Sequence, residues 1–399
     1  MDARDVSALA LRIQELEKEN ARLKAILDKN GIEYESLESK TYNSNRIEAA
    51  SVSICQFSLQ EKVSIFQSVF QGRDDVFAKR WYSSTTQKSG YQPVCTREWN
   101  REFCDKRKYK CADCPNRQFA PLTYNDVFNH LAGKDVWGRD VIGLYPIRKD
   151  NTCCFLCTDF DDKSCEHGYK NDVLSFVNVC KTWNVPCYIE RSRSGNGAHV
   201  WIFFDTPITA FKARKLGNAI LTEAMNSDVH LSFKSYDRFF PNQDTLPEGG
   251  LGNLVALPLQ GMARRKGNSV FVDEDFNAYA DQWEMLSQIH KLSEVELDLL
   301  LQLHAVPTLG ELSKTCEEKP WETPHMDAAQ SEDYPKQIVL TRANMLYVPL
   351  ASLSAKCVNV FKRIAAFRNP EFYEKQGMRL STYNIPRIIS CSEMTDDYL

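Results

Sequence analysis

Asp159 and Asp161 stand at the end of an apolar run, Cys154-Phe-Leu-Cys-Thr-Asp-Phe-Asp-Asp162. In a strand, side chains at i and i+2 share a face, so these two carboxylates project together while Phe160 points into a core. Like charges side by side are unfavourable unless a cation neutralises them. Mg²⁺ and Mn²⁺ take oxygen ligands, and two such ions about 3.5–4 Å apart can hold both the attacking and the leaving oxygen of a phosphoryl transfer. Asp162 falls on the opposite side and reads as a turn or cap residue.

Downstream lies Glu190-Arg-Ser-Arg-Ser-Gly-Asn-Gly-Ala-His199, a strand running into a loop and out into a second strand at His199. Gly195 and Gly197 let backbone N–H groups approach phosphate oxygens, Ser192 and Ser194 add hydroxyl donors, and Arg191 and Arg193 add charge. This is the composition of a triphosphate cradle. A third segment, Lys234 to Asp244 followed by Gly249-Gly-Leu-Gly252, offers one more carboxylate, Asp237 or Asp244.

Cys95, Cys104, Cys111 and Cys114 follow the spacing C-x8-C-x6-C-x2-C in a polar stretch. The closing C-x2-C lets two thiolates grip one metal, and four sulfurs complete a tetrahedral structural Zn²⁺ site. Cys153, Cys154, Cys157 and Cys180 lie in apolar segments and read as core.

An acid-x-acid strand end, then Ser-Gly-x-Gly-x-His, then a third acid resembles the three-motif active site of archaeo-eukaryotic primases and primase-polymerases. The longer string resembles the primase-bearing proteins of TOTE conflict systems over about residues 60–390. It runs from Gly72-Arg-Asp-Asp-Val through the cysteine module to Phe240-Pro-Asn-Gln-Asp244 and Asn369-Pro-Glu-Phe-Tyr373. The resemblance implies an RRM-like α+β catalytic core and metal-dependent nucleotidyl transfer from nucleoside triphosphates on a single-stranded template. It implies Asp159, Asp161 and Asp237 as ligands of two Mg²⁺ or Mn²⁺ ions, with Asp244 as runner-up for the third acid. Ser194 and His199 would contact the incoming nucleotide, and a helicase domain or subunit is an expected partner, with Tyr347–Leu399 as lead-in.

These residues need elements to position them. Strands are predicted over 140–146, 153–159, 186–190, 199–204 and 254–257, and helices over 170–183, 210–225 and 293–303. That pattern is an α+β or α/β core. Before it, Val63, Phe66 and Phe70 with Gly72 as C-cap predict a helix, followed by a second short helix through Trp81. After it, a helix over about 350–367 is predicted to stop at Asn369-Pro370. At the N-terminus, Val6, Ile13, Asn20 and Leu27 at a with Leu9, Leu16 and Leu23 at d predict a parallel homodimeric coiled coil through residues 6–30. The expected order is coiled coil 1–33, helical arm 34–90, zinc module 91–120, catalytic core 121–306, linker 307–340 and helical extension 341–399.

A net charge of −4 excludes a protein that holds nucleic acid by bulk positive charge, so local clusters must contact phosphates. Arg107, Lys108 and Lys110, and Arg264, Arg265 and Lys266, are the candidates. No apolar run of about 18 residues offers a membrane span, and a cytoplasmic address is expected. Two rival readings are a metal-dependent nuclease or replication initiator on a similar fold, and a non-catalytic zinc-dependent nucleic-acid-binding module. The first calls for a His-x-His pair or a placed tyrosine nucleophile, and the sequence has no His-x-His.

Overall fold

The computed structural model describes residues 18, 22, 57–109, 111, 114–161, 168–228, 231, 239–304, 334–351, 353–378, 380, 382 and 385–399. The expected coiled coil, apart from Lys18 and Arg22, lies outside the described residues, as do Lys110, Asp237 and most of the expected linker. A capping box starts the first helix: Ser58 Oγ accepts the Glu61 N–H, and Glu61 Oε2 accepts the Ser58 N–H. The chain then runs α1 (Leu59–Val69), β1 (Ala78–Tyr82), β2 (Ser89–Pro93), α2 (Tyr124–Ala132), β3 (Ile142–Leu144), β4 (Thr152–Asp161), α3 (Tyr169–Thr182), β5 (Tyr188–Arg191), β6 (Gly197–Thr209), α4 (Ala210–Ser227) and β7 (Phe239–Phe240). It continues through β8 (Val255–Ala256), α5 (Gly261–Arg265), β9 (Val270–Val272), α6 (Gln282–Ser287), α7 (Glu294–Leu303), β10 (Thr341–Arg342), β11 (Leu346–Tyr347), α8 (Ala355–Ile364), β12 (Ala366–Arg368), α9 (Pro370–Gly377) and β13 (Ile388–Ser390).

The central sheet has the order β7-β4-β6-β5-β9, with every neighbouring pair antiparallel. Its connectivity from β4 to β7 is strand, helix, strand, strand, helix, strand. The period of two along β4 and β6 splits their side chains between two layers. On one side α3 and α4 cover the sheet: Phe160 meets Phe176 edge-on at 5.9 Å, and Gly217 of α4 comes so close that an added Cβ would lie 2.8 Å from both Leu156 and Phe239. On the other side Phe155, Trp201 and Phe203 receive Phe70, at 5.3 Å from Trp201 and 5.7 Å from Phe203. Burying each such ring contributes about 1.5–3 kcal/mol, so this aromatic layer is what fastens α1 to the sheet. The polar residues of interest share that second side. A smaller sheet of order β2-β1-β3-β8 flanks it.

The second short helix expected through Trp81 is a strand. Residues 78–82 alternate, with Ala78, Arg80 and Tyr82 on one face, and they pair with β2 from Ala78↔Pro93 to Tyr82↔Ser89. Cross-strand partners override the weak helical spacing. Gly72 is not a cap either. The cap is Phe70, and Gly72 is required because a Cβ there would sit 2.4 Å from the Tyr145 carbonyl oxygen. Near the C-terminus, Asn369-Pro370 starts a helix rather than stopping one: Asn369 caps the Glu371 N–H and Pro370 occupies the first turn of α9. Helix α8 docks on α4 through Asn359 Nδ2 to the Thr222 carbonyl at 3.3 Å, and Lys362 Nζ reaches the Leu231 carbonyl at 3.0 Å. No helix among the described residues is long and apolar enough to cross a membrane.

Candidate active site

Three side chains form a row across the central sheet. Asp159 of β4 is the register partner of His199 of β6, and His199 is the partner of Glu190 of β5. Residues directly opposite on neighbouring strands share a face, so the row follows from register alone. His199 Nδ1 lies 2.8 Å from Glu190 Oε2, and Nε2 lies 3.6 Å from Asp159 Oδ1. Glu190 is 1% exposed, and its carboxylate also accepts Trp201 Nε1–H at 3.0 Å. Burial works against a charged imidazole, but the Glu190 carboxylate, its hydrogen bond and Asp159 outweigh it and push the His199 pKa up to about 9. The two flanking carboxylates thus favour the imidazolium form of the ring.

Asp161, two residues beyond Asp159 on the same face of β4, is paired with Gly197. A Cβ on Gly197 would lie 2.6 Å from the Phe160 carbonyl oxygen, so only glycine lets the β6 backbone lie this close to the acidic strand end. Between β5 and β6 the loop closes with Ser192 N–H donating to the Gly197 carbonyl at 2.9 Å and Gly195 N–H donating to the Ser192 carbonyl at 3.0 Å. Ser192 and Ser194 hydroxyls are 3.1 Å apart, and Gly195 takes φ +84°, with Asn268 packed where a side chain would go. The structure thus brings Asp159, Asp161, Ser192, Ser194, Gly195, Gly197 and His199 to one end of the β4–β6 pair. Arg191 is directed elsewhere: its guanidinium donates to the carbonyls of Gly267 at 2.8 Å and Phe276, bracing the β9 segment. Arg193 is exposed.

The two candidates for the third acid differ. Asp237 lies outside the described residues, two positions before β7, whose Phe239 pairs with Thr158 beside Asp159. Asp244 sits in a polar cluster with Arg214 of α4, Nε to Oδ1 3.5 Å, and Arg387, 3.7 Å, and accepts from Gln376 Nε2 at 3.1 Å. Its partners place it on the helix side of the sheet, away from the Asp159 face.

A model of the archaeo-eukaryotic primase domain of TOTE conflict systems matches residues 61–300, more than half of the chain. The chain belongs to that family. No curated protein matches it. The matched segment holds the whole central sheet and the row on it.

The four module cysteines line one cavity, together with Glu98, Lys106 and Arg117. The Gln118 N–H donates to Cys95 Sγ at 3.4 Å, and burial pushes the Cys111 thiol up, with Glu98, Cys104 and Cys95 adding to the effect and Lys106 opposing it. Among the described residues no three His, Cys, Asp or Glu side chains are set as metal ligands. For Zn²⁺, the donor set and its shared cavity nevertheless suit a thiophilic ion. For a hard cation, Asp159 and Asp161 supply two carboxylates on one face.

Of the basic clusters, Arg107 and Lys108 are exposed beside the cysteines. Arg265 donates to the carbonyls of Ala132, 3.1 Å, and Gly133, 2.6 Å, and Arg264 reaches Leu131 at 3.4 Å, so both guanidinium groups close the C-terminal end of α2. Lys266 is exposed. His130 is structural: buried, it accepts the Ile142 N–H at Nδ1 and donates Nε2–H to the Pro258 carbonyl at 2.8 Å. Glu190 is the site residue missed from sequence. Its signal was a carboxylate ending an otherwise apolar strand, nine residues before a histidine on the next strand.

Proposed function

We propose that this chain is a metal-dependent primase-polymerase that joins nucleotides on a single-stranded template. The observation that carries the reading is the Glu190–His199–Asp159 row, with Asp161 abutting the glycine hairpin, inside a domain of the archaeo-eukaryotic primase family. The strand-helix-strand-strand-helix-strand connectivity with β7-β4-β6-β5 order supports an RRM-like core.

Asp159, Asp161 and Asp237 would hold Mg²⁺ or Mn²⁺. Bound there, such ions would supply activation of the primer 3′-hydroxyl and charge neutralisation of the leaving pyrophosphate. Ser192, Ser194 and the loop amides around Gly195 and Gly197 cradle the triphosphate. His199 faces the same space with Nε2. Glu190 takes its Nδ1–H and keeps the ring charged, so Nε2–H is a donor to phosphate oxygen. Cys95, Cys104, Cys111 and Cys114 would hold a structural Zn²⁺, with Arg107, Lys108 and Lys110 next to it to contact phosphate. Residues 6–30 are proposed to pair two copies, and a helicase domain or subunit to act alongside.

The test is to incubate the protein with a single-stranded template of known sequence, Mg²⁺ or Mn²⁺, and ribo- or deoxynucleoside triphosphates, and to sequence the products. Complementary products support the reading. Degraded template without new strands contradicts it and favours the nuclease alternative.

A further inference from the structure

The hairpin β1–β2 presents a second set of groups that the catalytic row does not use. Ala78, Arg80 and Tyr82 share one face of β1, and Tyr91 of β2 lies directly opposite Arg80 on that face. Arg80 Nη1 donates to the Trp137 carbonyl at 2.5 Å, and its guanidinium stands 5.9 Å from the Tyr82 ring. Tyr82 and Trp137 are stacked, centroids 4.9 Å apart and planes 10° from parallel, and Trp137 is 48% exposed. From the catalytic side, Arg193 of the β5–β6 loop comes near enough for its charge to act on both Tyr91 and Arg80. Burial first and then this neighbouring guanidinium lower the Arg80 pKa. Arg193 follows β5 by two residues, which ties the cluster to the strand that carries Glu190, and the Glu190 carboxylate acts on Tyr91.

We propose that Arg80, Arg193, Tyr82 and Trp137 form a binding surface for single-stranded nucleic acid, the two guanidinium groups taking a backbone phosphate and the aromatic stack taking an adjoining base. Among the described residues neither arginine is in an ion pair, and Asp135, the acid whose charge reaches Arg80, is held by Arg139 at 2.8 Å. Two guanidinium groups side by side repel each other until an anion lies between them, and their planar forks match phosphate geometry. A stacked aromatic pair with one face open suits an unpaired base. Duplex offers no free base face, so the surface favours single strands. The proposal rests on the primase reading in one respect: it names where the template strand runs relative to the catalytic row.

The test measures binding of a fluorescein-labelled oligothymidylate to the full chain by anisotropy across a salt series, with primer extension assayed in parallel. Trp137→Ala is expected to raise Kd by about tenfold. Trp137→Phe, which keeps a stacking face, should stay within about twofold of wild type. Arg80→Ala is expected to reduce the slope of log Kd against log salt by about one phosphate contact. Asp159→Asn should bind no more weakly than wild type. The surface is overturned if the wild-type chain does not bind the oligonucleotide, or if Trp137→Ala and Arg80→Ala bind it as wild type does. Binding that depends on Trp137 in a protein that makes no product would sink the primase reading and leave the surface standing. Extension by wild type with unaltered binding by both variants would do the reverse.

Discussion

Glu190 and His199 face each other from β5 and β6 with 2.8 Å between Oε2 and Nδ1, and this contact decides the charge that His199 presents at the acidic strand end. Nδ1–H is committed to Glu190, so Nε2 is left toward Asp159, 3.6 Å away. A buried carboxylate that also holds the Trp201 indole cannot move without disturbing the aromatic layer, which makes the imidazole orientation rigid.

Glu190→Gln removes the charge but keeps the shape. The His199 pKa is expected to fall from about 9 toward or below its ordinary value, because burial is then opposed only by Asp159. NMR titration of the imidazole reads this shift directly. Nucleotide incorporation should drop by about one to two orders of magnitude at pH 7.5, the worth of a charge-assisted hydrogen bond. An unshifted titration would remove Glu190 from the site.

Gly197→Ala places a methyl group 2.6 Å from the Phe160 carbonyl oxygen, and neither backbone can yield without separating β4 from β6 beside Asp161. We expect a loss of about 1–3 kcal/mol in stability by urea unfolding and a rise in KM for nucleotide. A variant with unchanged stability and KM would show that the close approach does not matter.

The buried His130 gives a pH signature. Its pKa is lowered to about 4 by burial, against an ordinary value of about 6.5, so the unfolded chain binds the proton more tightly. Its contribution is fully present above pH 6.5 and is lost as pH falls toward 4. The urea midpoint should therefore decline from pH 7 to pH 5, and less so in His130→Gln. Equal declines in both proteins would assign the effect to other groups.

Zn²⁺ is expected at about one equivalent per chain by metal analysis, lost in Cys111→Ser and Cys114→Ser together with local folding. Fully active protein with no zinc would rule the module out.

The strands β4 and β6 and the helices α3, α4 and α7 were legible because their periods of two and 3.6 are carried by buried residues such as Phe155, Val200, Ile202, Phe176 and Leu216, whereas α2, α5 and α6 were not singled out. β7 and β9 were not: at two and three residues they have no period to read, whereas the equally short β3 and β8 sit inside the longer, mostly apolar stretches 141–147 and 254–259. The β1 strand was misread because Trp81 and Phe77 mimic helical spacing, and only the long-range pairing with β2 and β3 resolves it. Asp159, Asp161 and His199 could be singled out as candidates by type and order. Glu190 could not, because its role depends on sitting opposite His199, a register that sequence does not print. Likewise Arg191, Arg264 and Arg265 looked like phosphate ligands by charge, whereas their hydrogen bonds run to backbone carbonyls.

The most direct measurement is template-dependent incorporation by Asp159→Asn and Asp161→Asn, beside wild type at saturating Mg²⁺ or Mn²⁺, with thermal unfolding followed on the same samples. Asparagine keeps the side-chain shape and removes the negative charge that would hold the cations, so both variants should fold as wild type and lose incorporation by at least about 100-fold. Wild-type-like synthesis by either variant would contradict the assignment of this strand end as the catalytic centre.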